Sequence, residues 1–526
     1  MRARRCLLAL FAFVLAPAAR AGIPHDTVVM AKEIDDIVSL DPAEAYEFSD
    51  EEAIANCYDH LLDYDPAHPE TIRGALASRW SVDPDGRTYR FVLRADARFA
   101  SGRPVTADDA AFSLQRIVLL DLTPAFVLRQ FGFSRDNVGE LIRAEANTLV
   151  IETTVKVAPS LLYYILTSSI ASVVDKTAAL AHQENGDLGH HWLQFHSAGS
   201  GPYRLAVWRP GERYVLDALP DAWSGAARNR QVIVLDIPEP ATQRLLLERG
   251  DADYARDLDK DQLAAVARDK DFVFDRALQS MQTYFALNQK NPYLRRPQVI
   301  EALKFLVDYD GIAKGLLGGT RVVHQSFVPD GILGADDDRP FAFDPARAKA
   351  LLAAAGLADG FGVTLDVTAA SPWLEIAEAL QASFAAAGVR LTLLPGDEKA
   401  TLTKYRARRH DIYLGEWGSD YPDPHSNAQA FITDDDMSDK AALKTLAWRN
   451  SWSDPALAVR VEEAERESDI ARRAALYRAL ERDHQKIAPF VLMFQDVAIA
   501  AHRKSVHGLF IGPGPDHTLY RAIEKE

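Results

Sequence analysis

The first 21 residues have the three-part pattern of a secretory signal peptide. Residues 2–5 form a basic start, residues 7–15 form an apolar run, and residues 19–21 provide a small-x-small cleavage pattern. The apolar run is shorter than the roughly 20 residues that a membrane-spanning helix needs. A buried amino-terminal helix is the alternative, but the basic start and the cleavage pattern together favour a signal peptide. We therefore predict that residues 1–21 are removed and that the mature chain is exported to the periplasm.

After cleavage the chain keeps a single cysteine, Cys57, because Cys6 lies within the signal. One thiol cannot form an internal disulfide, so hydrophobic cores must hold the fold together. The chain has 526 residues, a length that divides into roughly two to four domains. Cys57 could be a nucleophile, but its helix-like, apolar surroundings favour a buried structural residue.

The chain is strongly acidic. Its formal net charge is −16, and removal of the four arginines in the first 21 residues leaves −20. Phosphate backbones and anionic lipid surfaces repel such a chain. No later segment is long and apolar enough to cross a bilayer. We predict a mature protein with no membrane span and no nucleic-acid partner.

Strand-like and helix-like segments alternate along most of the chain, which indicates a mixed α/β architecture. Turn residues 83–86 predict a hairpin between two flanking strands. A capping box that starts at Thr106 predicts a helix through Leu120. Near the end of the chain, we predict one long polar helix over residues 455–487 and an apolar strand over residues 490–501.

Motifs of catalysis are missing from the sequence, which has no G-x-S-x-G, G-x-x-x-x-G-K-[ST], H-E-x-x-H or C-x-x-C pattern. His190-His191, His425 and the acidic run 434–436 are the candidate metal ligands. Adjacent histidines on a strand point to opposite faces, and the acidic run has no Gly-centred calcium loop. We therefore predict solvated surface residues at these positions, with no metal, no cofactor and no catalytic residue.

Residues 415–424 form the most informative segment, because they combine aromatic, acidic and proline residues in ten positions. Two prolines restrict the backbone, so the segment predicts a stiff loop that holds side chains over a cleft. Trp417 offers a flat apolar face, and Asp420 offers an acceptor for an ammonium or hydroxyl group. A structural turn with a buried Trp417 is the alternative, and the chemistry of the segment alone does not decide between them.

Eight segments occur along the chain in a combination that is highly specific: residues 40–42, 56–65, 76–116, 199–205, 297–312, 344–357, 376–391 and 417–424. In this order they resemble the extracellular solute-binding proteins of the peptide and nickel class, which include the dipeptide- and oligopeptide-binding proteins of ABC importers. The resemblance extends from about residue 28 to about residue 510, which is nearly the whole mature chain.

The resemblance implies an α/β, two-lobe periplasmic-binding-protein architecture with an extra subdomain in the first lobe. The core of the first lobe would comprise residues 22–66, 195–280 and 490–526, and its extra subdomain residues 67–194. The second lobe would comprise residues 281–489. Two crossovers, near residues 278–285 and 487–494, would form the hinge across which the lobes close on a ligand.

The resemblance also implies a binding site. In peptide-binding members, the acidic residue of a W-x-x-D segment accepts the α-ammonium group of the ligand, and Asp420 has that position here, with Trp417 as part of the pocket wall. The first lobe of the family contributes pocket residues shortly after the position of residues 40–42. The predicted ligand-binding residues are Tyr46, Phe48, Ser49, Trp417, Ser419, Asp420 and Tyr421.

One departure from the family concerns the ligand carboxylate. Dipeptide-binding members hold this group with an arginine of the second lobe, but residues 367–375 contain none. Oligopeptide-binding members can carry an arginine shortly before the tryptophan, but this chain has Leu414 at the third position before Trp417. The carboxylate anchor is therefore unidentified, which leaves room for longer or modified peptides and for other ligands.

We predict the periplasmic, monomeric substrate-binding component of an ABC importer, which delivers a small polar ligand, a peptide first of all, to an inner-membrane permease. One alternative keeps the fold and changes the ligand to an oligosaccharide, an opine-like conjugate or a nickel complex. A more remote alternative is a secreted hydrolase that uses Asp420, Asp423 and His425 for acid–base chemistry. The sequence disfavours it, because no nucleophile or metal set converges with these residues.

Overall fold

The computed structural model describes residues 23–65, 67–434, 436–441 and 443–526. The predicted signal peptide at residues 1–21 and Asp435 therefore lie outside the described residues. The strands are β1 (Thr27–Lys32), β2 (Leu62–Asp65), β3 (His68–Gly74), β4 (Ala77–Val82), β5 (Thr88–Leu93), β6 (Ile142–Glu145), β7 (Thr148–Glu152), β8 (Tyr203–Arg209), β9 (Arg213–Ala218), β10 (Gln231–Asp236), β11 (Tyr254–Ala255), β12 (Phe272–Leu287), β13 (Arg321–Val323), β14 (Phe361–Thr368), β15 (Val389–Gly396), β16 (Ile412–Gly418), β17 (Phe490–Arg503), β18 (Val506–His507) and β19 (Glu524–Lys525).

Helices occur between most of these strands. The α-helices are α1 (Phe48–Cys57), α2 (Ala107–Leu120), α3 (Ala125–Arg129), α4 (Val138–Leu141), α5 (Pro159–Ile165), α6 (Lys176–Ala181), α7 (His190–Leu193), α8 (Pro240–Arg249), α9 (Lys260–Val266), α10 (Pro297–Lys304), α11 (Tyr309–Gly311), α12 (Pro345–Ala354), α13 (Trp373–Ala385), α14 (Glu398–Arg406), α15 (Pro424–Ile432), α16 (Leu446–Arg449), α17 (Pro455–Arg466) and α18 (Ile470–Ile487). The predicted mixed α/β class is confirmed.

One mixed sheet runs through both lobes, in the order β15-β14-β16-β12-β17-β11-β1-β10-β9-β8, with β13 paired to β17. Its two longest strands, β12 and β17, pair in antiparallel fashion from Phe272 opposite Arg503 to Ala286 opposite Phe490. The first-lobe strands β11, β1 and β10 lie on one side of this pair, and the second-lobe strands β16, β14 and β15 lie on the other. The pair therefore connects the two lobes.

The register of β12 on β17 shifts between Leu278 and Gln282, opposite residues 495–497. Irregular pairing of this kind bends a strand and interrupts its ladder of hydrogen bonds. The predicted crossovers at residues 278–285 and 487–494 lie on β12 and around the start of β17. Their action as a hinge and the domain boundaries stay predictions.

A second sheet, in the order β4-β5-β7-β6, belongs to the predicted extra subdomain. Its core includes the fully buried side chains of Tyr89, Phe91 and Leu149. The predicted hairpin is confirmed as β4 and β5, paired across residues 83–87. The predicted capping box is confirmed as well, because Thr106 and Asp109 exchange hydrogen bonds at the start of α2.

The single helix predicted over residues 455–487 is wrong. The chain forms two helices there, α17 and α18, because Asp469 caps a new helix by accepting a hydrogen bond from the Arg472 amide. An N-cap at this position starts a separate helix, whereas the polar periodicity alone suggests one continuous helix.

The prediction of solvated histidines is wrong for two of the three residues. His190 lies in the short helix α7, not on a strand, and its Nδ1 donates to Asp41 across 2.7 Å. Asp41 is fully buried and also holds Arg116. His425 is buried in α15, whereas His191 is exposed. His190 and His425 therefore belong to the packing of the fold.

Cys57, the last residue of α1, is buried as predicted. Burial raises the pKa of its thiol to about 12. In the part of the chain that the structure describes, no helix combines the length and the hydropathy that a bilayer crossing requires.

Candidate functional site

A cavity of about 1530 Å³ lies between the two lobes. Residues at the carboxyl ends of β1 and β11 line one side of it, including Lys32 and Arg256, and residues of the second lobe such as Asp308 and Glu375 line the other. The register break of β12 and residues 496–499 of β17 also contribute to the lining. A site at a junction of two lobes, next to a strand irregularity, is where a hinged protein can close on a ligand.

Arg321 is the central cation on the second-lobe side of this cavity. It opens the short strand β13, which pairs with β17 and so brings Arg321 opposite Asp496. Its Nε donates to Asp496 across 2.6 Å, and one Nη donates to Glu416 across 3.2 Å. The guanidinium also lies 4.8 Å from the ring centre of Trp373. These contacts hold the guanidinium in a fixed position.

The Arg321 side chain is only 8% exposed, and its Nη1 has no hydrogen-bond partner among the described residues. A buried donor without a partner costs free energy, which an acceptor on a ligand would recover. Burial, together with the neighbouring Asp496, raises the pKa of Glu416 to about 7 even though Arg321 opposes the shift. Sequence reasoning missed Arg321, since it considered arginines only near residues 367–375 and before Trp417.

A second charged cluster lies on the first-lobe side. Glu52 of α1 accepts from Lys32 across 2.6 Å and from Arg256 across 2.7 Å. The Tyr520 hydroxyl donates to the same carboxylate across 2.6 Å. Burial opposes ionisation here, but Arg256 and Lys32 outweigh it and lower the pKa of Glu52 to about 2. The cluster therefore keeps Glu52 ionised at neutral pH and satisfies its two cations internally.

Of the predicted ligand-binding residues, Phe48 lines the cavity, where its ring is 46% exposed. Ser49, next to it in α1, is buried, and its amide donates to Asp36 while its hydroxyl donates to the Glu33 carbonyl. Ser49 and the five remaining predicted residues are not among the described residues that line the cavity.

The predicted stiff loop over residues 415–424 is wrong in its extent. Strand β16 continues through Gly418, so Trp417 lies within a strand, and Pro424 is already the first residue of α15. Trp417 is partly buried and packs edge-on against Phe431 at 5.8 Å. Its indole therefore packs against the core of the second lobe from within a strand, and not from the turn that the structural alternative predicts.

Asp420 lies where the two lobes touch. The Tyr46 hydroxyl of the first lobe donates a short hydrogen bond to the Asp420 carboxylate, and Ser426 contacts the same carboxylate at 3.4 Å. Burial raises the pKa of Asp420 to about 6, although both hydrogen bonds oppose the shift. Tyr421 extends from the second lobe into the core of the extra subdomain, where its hydroxyl faces Gln130 at 3.4 Å.

This contact lies next to the cavity. A Cβ placed on Gly418 would approach the Phe48 ring to 3.1 Å, so the end of β16 lies directly against a cavity-lining side chain. Ser419 bridges the same turn to α15, because its hydroxyl donates to Asn427 across 2.7 Å. The predicted residues Tyr46, Phe48 and Asp420 are thus brought together from two lobes, at one end of the cavity.

The acid–base set suggested for a hydrolase has a structural role. Asp423 caps α15 by accepting from the His425 amide across 2.8 Å. Its two carboxylate oxygens lie 2.6 and 2.7 Å from Arg473, and both side chains are fully buried. Burial lowers the pKa of His425 to about 4. Both oxygens of Asp423 are therefore occupied, and neither residue belongs to the lining of the cavity.

Two lobes joined by paired strands, with a large cavity between them, define the solute-binding class of proteins. Residues 71–439 match the family model described as "Bacterial extracellular solute-binding proteins, family 5 Middle". The chain belongs to this family, and the predicted resemblance is confirmed.

Relatives match over nearly the full length. The chain is 28% identical to the "Probable D,D-dipeptide-binding periplasmic protein DdpA" of Escherichia coli over 528 residues, which covers 97% of this chain and 96% of the relative. It is 26% identical to the "Peptide transport periplasmic protein SapA" of Salmonella typhimurium, with 87% of this chain and 85% of the relative covered.

Solved structures agree in fold. The periplasmic binding protein DppA of Helicobacter pylori, in complex with the peptide STSA, superposes with a TM-score of 0.76 at 24% identity and covers 95% of this chain and 98% of its own. HbpA2 of Haemophilus parasuis superposes with a TM-score of 0.78 at 21% identity and covers 95% of this chain and 100% of its own. At this level of identity, the likeness establishes the two-lobe fold.

Proposed function

We propose that this chain is the periplasmic peptide-binding component of an ABC importer, which captures a peptide between its lobes and delivers it to an inner-membrane permease. The interlobe cavity of about 1530 Å³ carries the proposal, because it exceeds the roughly 300–1,000 Å³ of a typical small-ligand site. The names of full-length relatives point to peptides as well. We expect the mature chain to act as a monomer.

Asp420 and Arg321 form the two ends of the proposed site. Asp420 would accept the α-ammonium group of the peptide in place of the Tyr46 hydroxyl. Arg321 would bind the terminal carboxylate through its unpartnered Nη1. Both charges meet their partners away from bulk water, where charge-assisted hydrogen bonds are strongest. Phe48 would form part of the wall between them, with Tyr46 beside Asp420 at the contact between the lobes. Ser49, Trp417, Ser419 and Tyr421 would support this end of the site from behind, through their packing and hydrogen bonds.

The spacing of these ends supports a short peptide. Arg321 contacts Glu416, which precedes Asp420 by four residues in β16 and the following turn. Fully extended, four residues span about 13 Å at about 3.3 Å each, and the turn after Gly418 makes the actual separation shorter. The separation is therefore no longer than an extended peptide of about three or four residues.

A thermal-unfolding screen of the purified mature chain tests the proposal. The ligands are Ala-Ala-Ala, Ala-Ala-Ala-Ala, maltotriose, an opine and a nickel–histidine complex, each at a hundredfold excess over the Kd found by calorimetry. A ligand that binds only the folded state stabilises it by about 2.7 kcal/mol under these conditions. We expect stabilisation by the peptides. Stabilisation by the sugar, the opine or the nickel complex alone would overturn the proposal.

A further inference from the structure

The interlobe cavity is strongly acidic. Among the described residues, nine carboxylates line it, compared with four cations, Lys32, Arg256, Lys260 and Arg321. Three of these cations form ion pairs with carboxylates of the lining itself. The Lys260 ammonium group donates a hydrogen bond to the Gly315 carbonyl. The cations of the lining therefore leave most of its negative charge uncompensated.

Six of the nine carboxylates form no ion pair with any residue that the structure describes. They stand on both lobes. The first lobe carries four of them and the second lobe two, namely Glu33, Asp257, Asp259, Asp261, Asp308 and Glu375. Closure across the predicted hinge would bring these like charges closer together as water leaves the cavity, so their repulsion would grow.

The six unpaired carboxylates fall into two groups of three. Those of Asp257, Asp259 and Asp308 accept hydrogen bonds from backbone amides. The carboxylates of Glu33, Asp261 and Glu375, in contrast, make no hydrogen bond with the described residues and point to no structural role. Burial and the neighbouring Asp35 and Asp257 raise the pKa of Glu33, as expected for a carboxylate in a negative field.

Two exposed aromatic rings lie in the same cavity. Phe48 is 46% exposed and Phe343 is 42% exposed. An aromatic face binds an ammonium or guanidinium group favourably, and it also packs against the apolar stem of a lysine or arginine side chain. The unpaired carboxylates, the two aromatic rings and the unpartnered Nη1 of Arg321 together suit a ligand with one carboxylate and several cationic groups.

We infer that the cavity selects peptides with basic side chains. This inference rests on the proposed function, since it concerns the same cavity and narrows the peptides that it accepts. The lysine or arginine groups of such a peptide neutralise the unpaired carboxylates of both lobes. The binding of a basic peptide therefore removes the repulsion that opposes closure, which a neutral peptide of the same length leaves in place.

Calorimetry with three peptides of equal length, Ala-Lys-Ala, Ala-Gln-Ala and Ala-Glu-Ala, tests the inference at about 20 mM salt. We expect Ala-Lys-Ala to bind at least tenfold more tightly than Ala-Gln-Ala, and Ala-Glu-Ala to bind most weakly. The preference should shrink at 0.5 M salt, since ions screen the contribution of the partly exposed carboxylates.

The triple variant Glu33→Gln, Asp261→Asn, Glu375→Gln removes charge without removing a hydrogen bond of the described structure. We expect its preference for Ala-Lys-Ala over Ala-Gln-Ala to fall below threefold. Glu463→Gln removes an exposed charge of α17, outside the cavity lining, and should leave the ratio unchanged. Because each variant is judged by the ratio of two peptides, a general loss of stability does not imitate the effect.

The outcomes separate the two proposals. Equal binding of Ala-Lys-Ala and Ala-Gln-Ala would overturn the charge inference and leave peptide binding in place. Spermidine, a cation that is not a peptide, is titrated as a further probe. If it binds and no peptide does, the proposed function is overturned, whereas the inference that the cavity selects cationic ligands stands. A preference that survives in the triple variant would overturn the assignment to these carboxylates.

Discussion

The hydroxyl of Tyr46 in the first lobe donates a hydrogen bond to the carboxylate of Asp420 in the second lobe. This bond joins the lobes at the end of β16, directly beside the ring of Phe48, which lines the cavity. The same carboxylate is the one that the family resemblance assigns to the ligand ammonium group. In the proposed function, a bound amine would replace the Tyr46 hydroxyl at this carboxylate.

Asp420→Asn should weaken the binding of a peptide with a free amino terminus. The substitution keeps the shape of the side chain but removes the charge, which we expect to cost about 1.5–3 kcal/mol for a charge-assisted hydrogen bond. Calorimetry with Ala-Ala-Ala and its N-acetylated form measures the effect. The acetylated peptide should bind both proteins alike, and equal affinity of the free peptide for both would refute the assignment.

Tyr46→Phe is the matched control, since it removes the same hydrogen bond and retains the acceptor. A ligand amine would then displace no hydroxyl, so we expect the affinity for Ala-Ala-Ala to stay equal or to rise. A loss comparable to that of Asp420→Asn would indicate that the bond closes the lobes and does not compete with the ligand.

Peptide affinity should fall as the pH drops below about 6. Burial raises the pKa of Asp420 to about 6 in the free protein, so the carboxyl becomes protonated there and must lose its proton to bind an ammonium group. A bound ammonium favours the ionised form, which makes binding weaker at lower pH. Calorimetry of Ala-Ala-Ala between pH 5 and 8 measures this dependence.

Two variants separate the titrating groups. Tyr46, Tyr421 and Ser426 surround Asp420, with Arg449 as the cation that also acts on it. Glu416 titrates nearby, with a pKa of about 7. Asp420→Asn should flatten the profile below pH 6, while Glu416→Gln should leave that part intact. A profile that is unchanged in Asp420→Asn would assign the dependence to another group.

Local signals in the sequence were sufficient for some elements of the fold. The turn at residues 83–86 and the capping box at Thr106 specify their hairpin and helix through neighbouring residues, and both are confirmed. The break between α17 and α18 was missed because Asp469 is one of many polar residues in a polar stretch, where the periodicity masks its capping role.

The site was less accessible to sequence reasoning. Arg321 reaches the cavity because β13 pairs with β17, which places it against Asp496, 175 residues later in the chain. A single arginine in a three-residue strand gives no local signal of that pairing. Asp420 and Trp417 were singled out by their spacing, but only the packing of β16 could place the indole in the core of the second lobe.

Arg321→Met should selectively weaken peptides with a free carboxyl terminus. The unpartnered Nη1 of Arg321 is the proposed donor to this group, and its loss should cost about 1.5–3 kcal/mol. Ala-Ala-Ala and its C-terminal amide are compared by calorimetry in the wild type and in the variant. The wild type should prefer the acid, and the variant should bind the two forms alike.

The comparison also controls for damage to the fold. Removal of Arg321 leaves Asp496 and Glu416 without their cation, which destabilises the cavity wall for both peptide forms equally. Arg321→Lys retains the charge but not the two-pronged geometry and should recover part of the preference. A preference for the acid that persists in Arg321→Met would exclude Arg321 as the anchor.

Arg473→Met should destabilise the protein by about 3–5 kcal/mol, the usual cost of stranding one member of a buried ion pair. Arg473 binds both oxygens of Asp423 and also donates to Ser160, so it joins α15 and α18 to the extra subdomain. Chemical denaturation at pH 7 measures the change. Arg466→Met, which breaks a pair exposed on α17, should cost less than about 1 kcal/mol.

Cys57 should be unreactive in the folded protein. Its side chain is only 3% exposed at the end of α1, and burial raises the pKa of the thiol to about 12. The thiolate is the reactive form, so both access and ionisation are lacking at pH 8. A disulfide reagent should label the mature chain slowly when it is folded and rapidly, at one site, in guanidinium chloride.

Because labelling of Cys57 then reports unfolding, the Arg473→Met variant should react faster than the Arg466→Met variant under mild denaturation. Fast labelling of the folded wild type would show instead that α1 opens readily, and that the cavity wall built on Phe48 and Glu52 is mobile with it.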